Sequence, residues 1–394
     1  MTAGRQIMAG YYASCLARPP AAAIAPAVSS VPDPETSPLR GAPLLFRVLM
    51  TLALAWAAAR LCVWWNTPIP WMIGPLVSTA LVSVVGAPTA SWIPLRNTGQ
   101  WVIGAALGLY FTPAVGALVV SLWWAIVLGV AWSLALGLGF GAWLRRVHGA
   151  ALEHLGPAQL HSTTYFASAI GGASEMTLVA ERHGARTDLV AAAHSLRVLM
   201  VTLTVPFAML AWGVSGLDVS LPGGREVLPQ GLAVLAGLTL AGALLMRRLG
   251  RANPWFMGSL VVTMGLTLAG ITLSGIPPAL SAAAQLVIGV SLGVRFTPAF
   301  VHTAPRWLGS VAFATAAMML ACAGFGWLLA RLTGLHPATL VLGTAPGGIA
   351  EMAITAKVLQ LGVPIVTAFQ VCRLVAVLIL AEPLYRWWSG RLTS

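Results

Sequence analysis

Ile170-Gly171-Gly172-Ala173-Ser174-Glu175-Met176 recurs in the second half of the chain as Pro346-Gly347-Gly348-Ile349-Ala350-Glu351-Met352. Both copies lie in apolar sequence, where neither the glycines nor the glutamate is expected. Adjacent glycines weaken an α-helix by about 1 kcal/mol each relative to alanine. A carboxylate in hydrocarbon costs several kcal/mol unless it is paired, hydrated or neutralised. The chain accepts both penalties twice. Beyond 21 intervening residues, each glutamate is followed by an arginine inside another apolar run, Arg197 and Arg373. These four ionisable residues and their glycines mark the candidate functional centre.

The rest of the composition sets the class around that centre. The 394 residues are 58% hydrophobic and only 8% charged, with a mean hydropathy of +0.86. So few charges cannot cover a soluble surface, and the chain reads as an all-α polytopic membrane protein in contact with a lipid bilayer. The net charge of +12 is carried by arginine, Lys357 being the only lysine. On such a chain this excess fits cytoplasmic loop anchoring rather than nucleic-acid binding, for which no basic patch interleaved with aromatics is present. Cys15, Cys62, Cys322 and Cys372 are too scattered for a disulfide framework or a Cys-x-x-Cys metal site.

Residues 1–40, rich in Ala, Pro and Ser, read as a disordered tail. Apolar segments then follow at about 44–64, 69–86, 97–111, 116–143, 160–182 and 188–214, and again at about 229–249, 254–271, 281–296, 306–331, 338–360 and 363–385. The implied organisation is a first membrane repeat over 41–215, a connecting loop over 216–228 and a second repeat over 229–394. The duplication is visible in two further blocks. Pro70-Trp71-Met72-Ile73-Gly74 aligns with Pro254-Trp255-Phe256-Met257-Gly258, and Gln100 to Pro113 aligns with Gln285 to Pro298, each of the latter pair carrying Gly-xxx-Gly and Phe-Thr-Pro. Gly-xxx-Gly lets helix backbones approach closely.

Arginine placement bears on the relative orientation of the repeats. If each Gly-Gly element is re-entrant or a broken helix, Arg145-Arg146, the Arg247, Arg248, Arg251 cluster and the terminal Arg386 and Arg391 all fall on one side of the membrane. That arrangement predicts two inverted repeats of about five transmembrane helices, ten spans in all, plus two interrupted elements.

The three paired blocks resemble the bacterial AbrB family of integral membrane proteins, built on a duplicated AbrB domain, and the resemblance covers about residues 45–388. It implies a multi-pass protein of the bacterial inner membrane. The family has historically been labelled a regulator of gene expression and an ammonia monooxygenase. The chain bears no likeness to the small soluble DNA-binding regulator of the same name. An oxygenase needs a metal or an organic cofactor, but the seven histidines include no pair at i, i+4 and there is no dinucleotide fingerprint. The chain is therefore expected to be no enzyme, with no cofactor and no metal site.

A secondary transporter is the expected function, because inverted repeats with interrupted helices place a substrate or coupling ion between helix ends. On that reading a small solute, with or without a coupling ion, binds among Gly171, Gly172, Ser174, Glu175, His194, Arg197, Gly347, Gly348, Glu351, Gln370 and Arg373. The glycines allow an unwound turn, and the arginines pair with the glutamates or grip an anionic substrate. The competing reading makes Glu175–Arg197 and Glu351–Arg373 buried structural ion pairs. Ser168, Ser174, Thr344 and His194 either line the cavity or satisfy neighbouring carbonyls. A membrane-embedded sensor acting indirectly on gene expression is the alternative function, and homo-oligomerisation stays open.

Overall fold

The computed structural model describes residues 43–149, 155–214, 226–298, 300 and 305–390. The expected tail over 1–40 and most of the 216–228 connection lie outside the described residues. Among the described residues the regular structure is entirely helical. The first half contains α1 (Leu44–Trp64), α2 (Pro70–Val84), α3 (Ile93–Gly108), α4 (Pro113–Ser121), α5 (Trp123–His148), α6 (Gly156–Ser168), α7 (Ala173–Arg182) and α8 (Thr187–Ala211). The second contains α9 (Pro229–Arg248), α10 (Pro254–Leu268), α11 (Pro278–Gly293), α12 (Pro305–Thr333), α13 (Pro337–Thr344), α14 (Ile349–Val358) and α15 (Val363–Gly390).

Proline starts many of these helices and glycine ends several. Proline suits the first turn, where its missing N–H would have no partner. Gly86 (φ 89) and Gly270 (φ 76) follow α2 and α10 in the left-handed region. At both ends the next amide reaches back one turn, Ala87 N–H to Val82 O and Ile271 N–H to Leu266 O, closing the same glycine-dependent cap. Phe111-Thr112-Pro113 ends a helix: α4 restarts at Pro113 and lies 90° from α3. The segment expected at 116–143 is divided, because the chain turns at Leu122 between α4 and α5.

Six helices, α1, α5, α8, α9, α12 and α15, are long and apolar enough to cross a membrane. The other four expected spans are α2, α3, α10 and α11, of only 15 or 16 residues. At 1.5 Å per residue these reach about 22–24 Å, short of a hydrocarbon core of about 30 Å. The expected segments for α2 and α10 overran these helices, since Pro and Gly clip both ends, whereas those for α3 and α11 were already this short.

The short helices pack across the halves. Gly104 of α3 lies so close to α10 that a methyl group there would strike Phe256 O and Ser259 Oγ, while Gly289 of α11 approaches Met72 O of α2. Each Gly-xxx-Gly thus serves a helix from the other half. Trp101 fixes a further crossing by donating its indole N–H to Thr239 Oγ1 of α9 at 3.0 Å. The remaining helices, α5 to α8 and α12 to α15, form the second packed group. Of the six long helices α8 and α15, both in this group, are the most enclosed, 50% and 61% buried over their apolar windows against 17–28% for the other four. Enclosure of these two follows from their cargo: they carry Arg197 and Arg373, which hydrocarbon would not tolerate.

Candidate functional site

Each Gly-Gly motif is the gap between two half-helices, α6 and α7 in the first half and α13 and α14 in the second. An interrupted helix leaves up to four carbonyls and four amides without partners at the break. The carbonyl side is closed by side chains from the long span that follows. Arg197 donates Nη1–H to Ala169 O at 2.7 Å and Nη2–H to Ala167 O at 2.6 Å. Arg373 donates to Ala345 O at 2.5 Å, to Gly347 O at 2.6 Å and to Gln370 Oε1 at 2.7 Å. A cation at a helix C-terminus also favours the negative end of the helix dipole.

His194 and Gln370 occupy equivalent positions and perform the same task differently. His194 Nε2 lies 2.9 Å from Phe166 O, so the proton sits on that nitrogen, since a carbonyl only accepts. Gln370 donates to Leu342 O at 2.8 Å, Gly343 O at 3.2 Å and Ala345 O at 3.1 Å. Because Gln370 covers Gly343 O, whose counterpart Ala167 O is taken by Arg197, Arg373 is released to reach Gly347 O.

The amide side of each break is where the glutamates sit. Glu175 and Glu351 are the third residues of α7 and α14, and their Oε2 atoms fold back over Gly172 and Gly348, the residues preceding the helices. A third-position glutamate that turns back can satisfy the first free amides and meets the positive end of the helix dipole. The expected ion pairs are therefore corrected: among the described residues neither glutamate has an ion pair within 4 Å, the pairs being Arg186–Asp188, Arg386–Glu382 and His183–Glu382. The arginine caps the carbonyl end of each break and the glutamate lies over the glycine at its amide end, rather than the two pairing with each other.

The reason for glycine is corrected too. Gly172 (φ −66, ψ 136) and Gly348 (φ −77, ψ 155) are in extended backbone open to any residue. What glycine provides is space: a methyl on Gly172 or Gly348 would displace the glutamate carboxylate from its place over the helix end. A methyl on Gly171 would meet Met176 Cγ at 2.8 Å and Val377 Cγ1 of α15 at 3.1 Å, and one on Gly347 would meet Val201 Cγ1 of α8 at 2.9 Å and Met352 Cγ at 3.0 Å. Every fixed letter of Gly-Gly-x-x-Glu-Met has a contact to explain it, and each break rests on a span from the other half.

The two breaks open into one cavity of about 270 Å³ between the crossed short helices and the second group. Gly171, Gly172, Glu175, His194, Arg197, Gly347, Gly348, Glu351 and Arg373 all border it. Gln370 does not: it is fully buried behind Arg373. Ser174 lies in the first turn of α7, and its side chain is outside the described residues. Ser168 and Thr344 are buried on carbonyls, with Ser168 donating to Gly137 O at 2.8 Å and Thr344 to Leu340 O at 2.8 Å. Sequence reasoning missed the opposite wall, which includes Arg96, Asn97, Gln100, Ser291 and Arg295. Arg295 had a signal available, being an arginine in an apolar run where the first copy has Tyr110.

The profile of the family described as Transition state regulatory protein AbrB matches residues 71–389, which takes in both breaks and the whole cavity. The chain belongs to this AbrB family. Two relatives agree. The Bacillus subtilis (strain 168) protein named Uncharacterized protein YhjN is 26% identical over 347 residues, 81% of this chain and 87% of that protein. The Escherichia coli (strain K12) protein named Putative regulator AbrB is 29% identical over 236 residues, 58% of this chain and 66% of that protein. The AbrB match begins inside the Pro-Trp-x-x-Gly block and ends near the C-terminus of α15, so it spans both copies of each repeated block.

Proposed function

We propose that this AbrB-family chain is a secondary transporter of a small solute, built from two inverted repeats in a bacterial inner membrane. The observation that carries the reading is that half-helices from opposite halves of the chain meet in one charged cavity. Such breaks put free helix ends beside a solute, and irregular backbone at membrane depth is tolerated only where it lines a cavity or is buried in protein. The reciprocal packing of α3 on α10 and α2 on α11 supports the inverted arrangement, with 41–215 and 229–394 as the repeat units and 216–228 joining them. With the six long helices and the short α2, α3, α10 and α11 all crossing, the latter through locally thinned lipid, ten crossings with each α6–α7 and α13–α14 element entering and leaving on one side put Arg145-Arg146 and Arg247-Arg248 on a common face, as the positive-inside rule requires. On this reading no cofactor takes part, the work is done by gradients, and one chain or a homo-oligomer serves equally.

A sensor is the second reading, favoured by the regulator names that the family and the Escherichia coli relative carry. Purified protein in liposomes separates the two. With a proton or sodium gradient imposed, gradient-dependent uptake of a solute, lost in Glu351→Gln protein that remains folded, is the expected result. Saturable solute binding with no flux under either gradient would replace the carrier with the sensor.

A further inference from the structure

The cavity is bordered by four guanidinium groups, Arg96, Arg197, Arg295 and Arg373, and by two carboxylates, Glu175 and Glu351. These charges are not equally free. The carboxylates are folded onto the N-termini of their own half-helices. Arg197 and Arg373 spend their terminal N–H groups on carbonyls, leaving only their buried Nε atoms without a partner. Arg96 Nε is likewise buried and unpartnered. Arg96 and Arg295 are the two that form no side-chain hydrogen bond and no ion pair with any described residue, and Arg295 has Arg96, Glu351 and Glu175 as its electrostatic neighbours. A guanidinium carries five donors in a fixed fork and no acceptor, so an unpaired one inside a protein lacks a partner of oxyanion shape.

Arg295 also stands at a boundary. It borders the central cavity and a second one of about 530 Å³, the wall of which includes Ser195, Thr297 and Trp307. Among the described residues the one carboxylate on that second wall, Asp188, is already held by Arg186 through two hydrogen bonds of 2.9 and 2.6 Å. Arg295 is therefore the one charge among the described residues that borders both cavities, and it is positive. The repeat does not supply it twice, because Tyr110 stands at the equivalent position.

We propose that the solute is a small anion bearing a carboxylate or phosphate group, held by the Arg295 guanidinium between the two cavities. The assignment rests on the carrier reading for its role as a substrate, but the binding site does not require it. The test is isothermal titration calorimetry on the full chain in detergent, with succinate, citrate and inorganic phosphate as anion probes and ethylammonium as the cation probe. At least one anion should bind saturably, and Arg295→Gln should weaken it tenfold or more. Arg295→Lys, which keeps the charge but loses the fork, should fall between, and it keeps the test decisive if the glutamine variant fails to fold. Response to succinate and citrate without phosphate assigns a carboxylate; the reverse assigns a phosphate. Equal affinity in wild type and Arg295→Gln overturns the site, as does failure of all three anions. Ethylammonium binding that is lost in Glu351→Gln also overturns it, in favour of a cation site. Anion binding without flux would retain the site and remove the carrier; flux of a cation without anion binding would do the opposite.

Discussion

Replacing Arg373 by methionine tests whether acid and base in each break are caps or partners. The substitution keeps most of the side-chain volume and removes three hydrogen bonds. Ala345 O remains covered by Gln370, so two acceptors are left bare, Gly347 O and Gln370 Oε1. A buried acceptor stripped of its partner costs about 1–3 kcal/mol, which puts Arg373→Met at roughly 2–6 kcal/mol. Arg197→Met bares Ala167 O and Ala169 O and should lose a similar amount. An ion-pair role predicts something more, because removing the base would strand a buried charge that Glu351→Gln could then relieve. The capping geometry predicts no such rescue, since Glu351 is held by its own helix and its electrostatic neighbour is Arg295 rather than Arg373. The assay is unfolding in mixed detergent micelles, followed by far-ultraviolet circular dichroism, for the two single variants and the double. Glu351→Gln should leave the Arg373→Met loss unchanged within about 0.5 kcal/mol, the usual limit of additivity for independent sites. Recovery of more than about 1 kcal/mol by the double variant would refute the capping account.

Glycine substitutions should sort by what surrounds them. Gly348→Ala pushes a methyl into the Glu351 carboxylate and should cost about 1–3 kcal/mol and impair solute handling, whereas Gly139→Ala and Gly237→Ala, in helices with nothing within 4 Å, should be neutral or stabilise by up to about 1 kcal/mol in the same unfolding assay. Gly104→Val should disturb the crossing of α3 on α10 and lower the yield of monodisperse protein on size-exclusion chromatography. Trp101→Phe removes the indole hydrogen bond to Thr239 and should cost about 1 kcal/mol with little effect on solute binding, because Trp101 is not a cavity residue. His194→Gln copies the second half into the first; if the two residues are equivalent caps, its melting temperature should stay within a few degrees of wild type.

Much of this molecule was legible before any coordinates. Apolar composition, the paired blocks and the doubled Gly-Gly-x-x-Glu-Met element all follow from local penalties: a glycine pair breaks a helix and a charge in hydrocarbon demands an answer, wherever the chain goes next. Those penalties marked Glu175, Arg197, Glu351 and Arg373 as belonging together, and all four border one cavity. What they could not reveal is which group answers which. Equal spacing invited two ion pairs, yet the direction of a side chain depends on helix rotation and on where each break ends, and these bring Arg197 and Arg373 to carbonyls and lay the glutamates over Gly172 and Gly348. The role of glycine as empty space for a carboxylate likewise emerges only from packing. Arg295 is the clearest case. Nothing within its own stretch pairs it, and its charged neighbours come from both halves of the chain, so its position as the unpaired cation bordering both cavities exists only in the folded protein.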